Sequence, residues 1–363
     1  MNALSHPAQH VPSTEFLLRV QRMQRIQKQQ KLDAIIVLSE VNRYYFTGLN
    51  ASNGVLFIGS ESAFYTDSRY LEMARKAIGF LPVRSVWRRE DEPEVLQRIG
   101  RAWQRIGYEG NLSVARFQQL KAALPAVEWV DVTASLNLLR AVKSRAEVAA
   151  LRRAFAATDA VFAAARQQVI PGMTEWAIRN VIRRGADFCG QGESFDTIVC
   201  AGAHAAEPHH HPDDTVVLPN DVVLIDMGVK KDFYCSDMTR CFTLGRPKKR
   251  YLELKAIVAA ANKKAIRAVK PGVPCSAIDA VAREIIEKAG YGRYFQHGTG
   301  HSLGLEIHEW PNFAPSCEAL LQPGMVLSVE PGIYLPGVVG VRIEDVVLVT
   351  RTGCDVLTRT IQE

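Results

Sequence analysis

The chain has 363 residues, of which 47% are hydrophobic, and this length favours two domains over a single small core. The net charge of +6 is modest and the basic residues are interspersed with acidic ones, so we do not expect nucleic-acid binding. We find no secretory signal, no run near the roughly 18 apolar residues of a membrane span, and seven cysteines without a disulfide-like spacing. We therefore expect a cytoplasmic protein that does not associate with membranes.

The first part of the chain alternates helical and strand patterns. Apolar residues recur every three or four positions in Glu15–Lys31, which predicts an amphipathic helix, and the apolar run Asp33–Leu38 predicts a buried strand. The other predicted elements are a helix at Arg69–Lys76 and strands at Gly54–Ile58, Ala63–Tyr65, Leu81–Val86 and Val127–Val132. This alternation predicts an α/β domain over residues 1–135, in which residues 1–13 form a frayed arm.

The remainder, residues 136–363, changes to blocks of helices and blocks of strands. The predicted helices are Ser144–Gln168, Thr174–Cys189, Tyr251–Val269 and Ala277–Ala289. The predicted strands are Phe195–Cys200, Val222–Val229, Phe233–Leu244, Met325–Val329 and Val338–Val349. This order predicts an α+β domain in which helices pack on a largely antiparallel sheet.

Two acidic residues interrupt neighbouring apolar strands of this second domain. If the strands form a hairpin that turns at Lys231-Asp232, Asp226 lies directly opposite Asp237, with Cβ atoms roughly 4.5–5.5 Å apart. Like charges at such positions destabilise a hairpin unless a positive group lies between them. Arg240 or Lys230 could supply that charge, but we predict a metal cation.

A second acidic pair repeats this arrangement near the end of the chain. Glu330 ends one predicted strand and Glu344 lies in the next, with Pro336-Gly337 near the midpoint. Pro331-Gly332 interrupts the ladder, because proline has no N–H to donate. We nevertheless predict that the two glutamates face each other.

The segment HGTGHSLGLEIHE, His297–Glu309, adds three histidines in a glycine-rich stretch that does not favour a helix. Four carboxylates and one imidazole, that of His301, balance two divalent ions, and carboxylate-rich ligation favours Mn²⁺ over Zn²⁺. Two such ions roughly 3.5–4 Å apart hold a bridging water, lower its pKa and polarise a substrate oxygen. The sequence therefore predicts a hydrolase site.

Seven motifs, in this order, give the chain a family resemblance. They are PHHHP at His209, IDMG at Asp226, SDMTR at Asp237, HGTGH at His301, EIHE at His308, VEPG at Glu330 and VRIED at Glu344. Together they resemble the "pita-bread" metallopeptidases, which include methionine aminopeptidase, aminopeptidase P and prolidase. TDSRY at Thr66–Tyr70 resembles the creatinase-type N-terminal domain, which methionine aminopeptidase lacks. The resemblance implies a curved antiparallel sheet with packed helices, preceded by a smaller α/β domain, and a proline-directed activity.

The resemblance also implies how the metal ligands divide between two ions. Asp226 binds one metal, Asp237 and Glu344 bridge both, and His301 and Glu330 complete the second. Glu330 in addition takes the proton of the attacking water.

Further side chains are implied to contact the substrate. His209 and His308 contact the substrate carbonyl and assist proton transfer to the leaving amine, and His297 lines the site. The neighbours of His209 leave its assignment open, since a histidine-rich loop can bind adventitious metal. Arg342 either orients Glu344 or meets a substrate carboxylate, and a structural ion pair is the alternative.

We thus expect a dinuclear peptidase that hydrolyses the Xaa-Pro bond through a metal-bridging hydroxide, with Mn²⁺ as the metal and Co²⁺ or Zn²⁺ as alternatives. The compact length favours an Xaa-Pro dipeptidase, although Pro311–Pro323 contains no Arg or Lys for the substrate carboxylate. Aminopeptidase P acting on longer peptides is the alternative. Methionine aminopeptidase and a non-enzymatic binding protein on the same fold are less favoured. The resemblance also implies a homodimer and small proline-containing peptides as partners.

Overall fold

A computed structural model describes residues 11–86 and 91–359 of the chain. The chain divides into two compact units, residues 1–140 and 141–363. Most of the arm predicted at residues 1–13 lies outside the described residues. No described helix is both long and apolar enough to cross a lipid bilayer.

The first unit is built around a six-stranded mixed sheet. Its helices are α1 (Ser13–Gln29), α2 (Glu40–Thr47), α3 (Ser68–Ala77), α4 (Glu92–Gly100), α5 (Val114–Ala123) and α6 (Thr133–Ala141). Its strands are β1 (Ala34–Val37), β2 (Val55–Gly59), β3 (Ala63–Thr66), β4 (Val83–Ser85), β5 (Arg105–Tyr108) and β6 (Glu128–Asp131). The strand order is β4-β3-β2-β1-β5-β6, with β5 parallel to both β1 and β6. This confirms the predicted α/β class, and the predicted buried strand is the central β1.

The second unit combines four long helices with antiparallel strands. The helices are α7 (Arg145–Gln168), α8 (Glu175–Cys189), α9 (Lys249–Ala268) and α10 (Cys275–Lys288). The strands are β7 (Ile198–Ala201), β8 (Val222–Met227), β9 (Met238–Thr243), β10 (Gly300–Ser302), β11 (Glu309–Phe313), β12 (Val326–Val329), β13 (Gly332–Leu335), β14 (Val339–Arg342), β15 (Asp345–Val349) and β16 (Cys354–Val356). They pair antiparallel in the orders β7-β8-β9, β11-β10-β12-β15-β16 and β13-β14, as the sequence predicted.

The core of this unit lies between the helices and the sheets. Leu254, Val258, Ala261 and Ala265 recur every three or four residues along α9 and are fully buried. They belong to one apolar cluster with residues of α10 and of strands β12 to β15. Burying a Leu or Val side chain contributes about 1.5–3 kcal/mol relative to leaving it exposed, so this packing fixes the strands that carry the acidic residues.

The hairpin of β8 and β9 has a different register from the predicted one. Asp226 pairs with Thr239, not with Asp237, because the chain turns at Asp232-Phe233, where both φ angles are positive (52° and 67°). The predicted turn at Lys231-Asp232 was therefore one residue too early. Asp237 lies two residues before Thr239, so it is on the same side of the hairpin as Asp226, diagonally across from it.

The second acidic pair follows the predicted arrangement. Val329 of β12 pairs with Asp345 of β15, and Gly332 of β13 pairs with Arg342 of β14. These two ladders share one register, in which Glu330 and Glu344 occupy facing positions between them. The single strand predicted for residues 338–349 is divided into β14 and β15 at this point, since the ladder is interrupted opposite Pro331.

Candidate metal centre

Five predicted ligands converge in the second unit. One carboxylate oxygen each from Asp226, Asp237 and Glu344 lies within 4.8 Å of the other two. The imidazole Nε2 of His301 lies 3.6 Å from Oδ2 of Asp237 and 3.3 Å from Oε1 of Glu330. The fold thus brings ligands from positions 226 to 344 around one small volume. Each of the five residues was predicted as a ligand.

The imidazole of His301 is oriented for metal binding. Its Nδ1 lies 3.2 Å from the carbonyl oxygen of Ser302, and a proton on Nδ1 bonds to that oxygen. The lone pair of Nε2 then faces Asp237 and Glu330. Ser328 reinforces the arrangement, because its hydroxyl accepts from the His301 N–H (2.9 Å) and donates to Oε1 of Glu330 (3.0 Å).

Arg342 contacts Asp226 rather than Glu344 or open solvent. Its Nη2 donates to Oδ2 of Asp226 at 2.6 Å, its Nε donates to the hydroxyl of Thr239 at 3.0 Å, and its side chain is 4% exposed. The same Thr239 hydroxyl donates to Oε2 of Glu344 at 2.9 Å. The structure shows the ion pair that was the alternative and a link from Arg342 to Glu344 through Thr239, and the contact of Arg342 with a substrate carboxylate stays a prediction.

Arg240 is one of the two basic residues, with Lys230, that the sequence offered for neutralising the acidic pair. Its guanidinium donates to Asp345 (2.9 Å) and to the backbone oxygen of Glu344. The bond from an arginine to a carboxylate of the cluster that the structure shows is the one from Arg342 to Asp226.

The electrostatics of the cluster favour a cation. Burial, together with the neighbouring carboxylates, raises the pKa of Asp237 and of Glu344 well above the usual range. Although burial opposes it, the hydrogen bond with His301 lowers the pKa of Glu330 to about 2. Oδ1 of Asp226 and Oε1 of Glu344 are buried and have no hydrogen-bond partner in the described structure. Oxygen atoms that are crowded and unsatisfied in this way suit hard divalent ions such as Mn²⁺.

Three further histidines lie around this cluster. The ring of His308 lies 4.4 Å from that of His301, centroid to centroid, and both His308 and His209 are exposed to solvent. Burial lowers the pKa of His297 and of His308, and the nearby imidazole of His209 contributes in the same direction. The structure thus brings the predicted substrate-contacting histidines together on an accessible side of the cluster.

His297 is held by two hydrogen bonds. Its Nδ1 lies 2.8 Å from the Gly298 oxygen and its Nε2 lies 2.8 Å from the hydroxyl of Tyr334. Since the Gly298 carbonyl can only accept, the proton of a neutral His297 lies on Nδ1, and the Tyr334 hydroxyl donates to Nε2. The same hydroxyl accepts from Nη1 of Arg342 at 3.2 Å. Both ring nitrogens of His297 are thus engaged, and its predicted role in catalysis stays a prediction.

The sequence analysis missed the residues that hold the ligands in place. Thr239 and Ser328 lie on β9 and β12, each two residues from a predicted ligand that directly adjoins its strand, and this spacing was the available signal. Asp279 on α10 accepts from the backbone N–H and the hydroxyl of Thr299, both at 2.9 Å, and thereby fixes the HGTGH loop. No local pattern indicated Asp279 or Tyr334, because their contacts join distant parts of the chain.

A buried ion pair supports the end of the same loop. Lys143 donates to Oε2 of Glu309 (3.2 Å) and to the hydroxyl of Ser302 (3.1 Å). The other oxygen of Glu309 accepts from the Leu305 N–H at 3.0 Å. Glu309 follows His308 directly, so this pair fixes the backbone that presents that histidine.

Comparisons with known proteins agree with this geometry. The profile of metallopeptidase family M24 matches residues 149–351, and that of the creatinase/prolidase N-terminal domain matches residues 19–142. The chain is 33% identical over 348 residues to the Xaa-Pro dipeptidase of Pyrococcus furiosus. This alignment covers 95% of this chain and 99% of the relative. It matches the structure of the Xaa-Pro dipeptidase from Bacillus anthracis with a TM-score of 0.91 and 32% identity, over 96% and 99% of the two chains. An X-Pro aminopeptidase from Thermotoga maritima matches with a TM-score of 0.87 and 31% identity, over 95% and 98%.

The chain therefore belongs to metallopeptidase family M24, and it is a peptidase. The resemblance drawn from its motifs is confirmed, and so is the fold, a pita-bread unit preceded by a creatinase-type N-terminal domain. Its second unit holds a candidate metal-binding cluster of Asp226, Asp237 and Glu344, with His301 and Glu330 beside it.

Proposed function

We propose that this peptidase hydrolyses the Xaa-Pro bond of small peptides with two divalent metal ions, and that it acts foremost as an Xaa-Pro dipeptidase. One observation carries the proposal: four carboxylates and His301 converge in a chain whose relatives over its full length are named for Xaa-Pro cleavage. The Xaa-Pro amide has no N–H, so an enzyme that reads an extended hydrogen-bonded strand fits it badly. A site that activates water and polarises the carbonyl does not need that N–H.

The residues that would hold the two ions are Asp226, Asp237, His301, Glu330 and Glu344. When bound, the two ions lower the pKa of a water molecule and polarise the substrate carbonyl. Mn²⁺ is the proposed metal because four of the five ligands are carboxylates, with Co²⁺ or Zn²⁺ as substitutes.

Glu330 accepts the proton of the attacking water in this proposal. Its hydrogen bond from Ser328 fixes the carboxylate in position. The exposed His209 and His308 contact the substrate carbonyl and assist protonation of the prolyl nitrogen. His297 and Arg342 act as positioning residues through Tyr334.

The two proline-directed activities differ in the length of the peptide that they cleave. The Xaa-Pro dipeptidases of Pyrococcus furiosus and Bacillus anthracis match 95% and 96% of this chain at 33% and 32% identity, which supports the dipeptide, while the X-Pro aminopeptidase of Thermotoga maritima matches 95% at 31%. Two observations support longer peptides: Pro311–Pro323 contains no Arg or Lys, and Arg342 is bonded to Asp226. Aminopeptidase P activity is therefore the second candidate. The free cysteines suit the reducing cytoplasm, and we propose a homodimer by analogy with the family.

A direct comparison of substrates tests this proposal. Purified protein loaded with Mn²⁺ is given Ala-Pro, Ala-Pro-Ala-Ala and Met-Ala at equal concentration, and released amino acids are quantified. We expect Ala-Pro to be cleaved with the highest kcat/KM, and we expect Glu330→Gln to be inactive on all three. Cleavage of the tetrapeptide but not of Ala-Pro would replace the dipeptidase by aminopeptidase P, and cleavage of Met-Ala alone would reject both.

A further inference from the structure

A second cluster of ligand side chains lies in the second unit and is not used by the proposed reaction. Its centre is Glu175, the first residue of α8, whose side chain is completely buried. Oε1 of Glu175 accepts from the Ala201 N–H at 2.7 Å, and Oε2 accepts from the Asp213 N–H at 3.1 Å. The carboxylate thus accepts hydrogen bonds from the first and the last residue of the segment 201–213.

Two histidines of that segment face the same carboxylate. Nδ1 of His204 lies 3.0 Å from Oε1 of Glu175, and Nε2 of His210 lies 2.7 Å from Oε2. Ligand atoms of Glu175, His204, His210 and Asp213 all lie within 4.8 Å of one another. Two imidazoles and two carboxylates, drawn from a helix start and one short loop, therefore surround a common point.

Both imidazoles direct a ring nitrogen at this buried carboxylate, and their ring centroids lie only 4.2 Å apart. His210 also faces Glu207 with its other nitrogen, Nδ1, at 3.1 Å. A divalent cation can take the place of the protons between the two rings and Glu175, and its charge would balance the acidic groups.

We propose that Glu175, His204, His210 and Asp213 form a mononuclear site for Zn²⁺, separate from the carboxylate-rich centre. Two imidazoles with carboxylates are ligands that Zn²⁺ prefers, whereas the carboxylate-rich centre suits Mn²⁺. Tetrahedral bonds of about 2.0–2.2 Å place neighbouring ligand atoms roughly 3.3–3.5 Å apart. The observed separations of 3.0 and 2.7 Å join the two histidines to different oxygens of Glu175, and one ligand atom from each of the four residues lies within 4.8 Å of the others, so small side-chain shifts reach this spacing.

Glu207 occupies the position of a supporting residue in this site. Its carboxylate accepts from Nδ1 of His210, which directs the lone pair of Nε2 towards Glu175. The site would also fix the segment that carries His209, the residue next to His210. This inference goes beyond the proposed function, because it assigns a metal that the peptidase reaction does not require.

Zinc binding to the full-length chain tests the proposal. Protein freed of metal is dialysed against Zn²⁺ and the bound zinc per chain is measured for the wild type and for His204→Asn/His210→Asn. We expect the double variant to bind one zinc fewer per chain. His211→Asn is the matched control, since His211 is exposed and adjacent, and it should bind as much as the wild type.

The outcomes separate the proposal from its alternatives. Equal zinc binding by the wild type and the double variant would overturn it, and an equal loss in His211→Asn would reduce it to adventitious binding by a histidine-rich loop. If the double variant does not fold, anomalous scattering at the zinc edge from wild-type crystals decides: a peak among the four side chains supports the site, and none there rejects it. Neither measurement depends on peptidase activity.

Discussion

Thr239 connects two charged groups that do not touch each other. Its hydroxyl accepts from Nε of Arg342 and donates to Oε2 of Glu344, and the residue is fully buried. A hydroxyl is suited to this position because it donates and accepts at once. Through it, the ion pair of Arg342 with Asp226 is linked to the facing carboxylate, so the orientation of two proposed ligands depends on one side chain.

We predict that Thr239→Val weakens both stability and metal binding. The substitution keeps the shape but leaves partners of buried charged groups unsatisfied, which costs about 1–3 kcal/mol of unfolding free energy. Loss of such an outer hydrogen bond typically lowers metal affinity by about 10–100-fold. Thermal denaturation and calorimetric titration with Mn²⁺ measure the two effects.

Thr243→Val on the same strand is the control for this prediction. Thr243 is half-exposed and donates only to the Gly245 oxygen, at 3.4 Å, so its loss should leave Mn²⁺ affinity unchanged. Wild-type affinity in Thr239→Val would show that the hydroxyl does not orient Glu344.

The identity of the ligands was predictable at the scale of single residues, whereas their partners were not. Acidic residues within apolar strands stand out, because a buried charge needs a compensating partner. Arg342 carries no such signal, since a guanidinium two residues before Glu344 suits several roles equally well. Only the fold, which brings β8 beside β14, reveals that it binds Asp226.

Among the elements, the hairpin of β8 and β9 shows what the sequence does not specify. Asp232 and Phe233 both adopt positive φ angles, and phenylalanine rarely does so. No glycine or asparagine marks the turn, so its position could not be read from the sequence. The second hairpin, with Gly337 at a positive φ angle of 69°, carried the usual signal and was placed correctly.

Helix α10 has an anchoring role for the histidine loop. Asp279, buried in its second turn, accepts from Thr299 and from Arg283, whose Nε and Nη2 lie at 2.8 and 3.0 Å. Arg283 in turn donates to the backbone oxygen of His297 at 2.9 Å. The helix therefore holds residues 297–299, the part of the loop that directly precedes His301.

We predict that Asp279→Asn destabilises the protein by about 1–3 kcal/mol, because charge-assisted bonds to buried groups are lost. Amide hydrogen exchange at Thr299 should become faster as the loop is released. Glu284→Gln on the same helix is the control: Glu284 is exposed and pairs only with Lys288, so we expect a change below about 0.5 kcal/mol. Unchanged exchange at Thr299 in Asp279→Asn would contradict the anchoring role.

At the scale of the whole molecule, the helices of the second unit were predictable, whereas several of its strands and several elements of the first unit were not. The four helices α7 to α10 were all predicted from their composition and apolar periodicity, and the structure shows a capping box of Ser144 and Glu147 at the start of α7. The missed elements are short, since none exceeds 10 residues: α2, α4, α5, α6, β5, β10, β11, β13 and β16. The short α2 is held by Glu109, which accepts from the N–H and the hydroxyl of Ser39.

The most direct test of the account is a crystal structure of the protein with Mn²⁺, using anomalous scattering to locate the metal. The account predicts two manganese ions per chain, both bound by Asp237 and Glu344. One of them also contacts Asp226, and the other contacts His301 and Glu330. A single ion, or carboxylates neutralised by Arg342 and protons with no manganese among them, would contradict it.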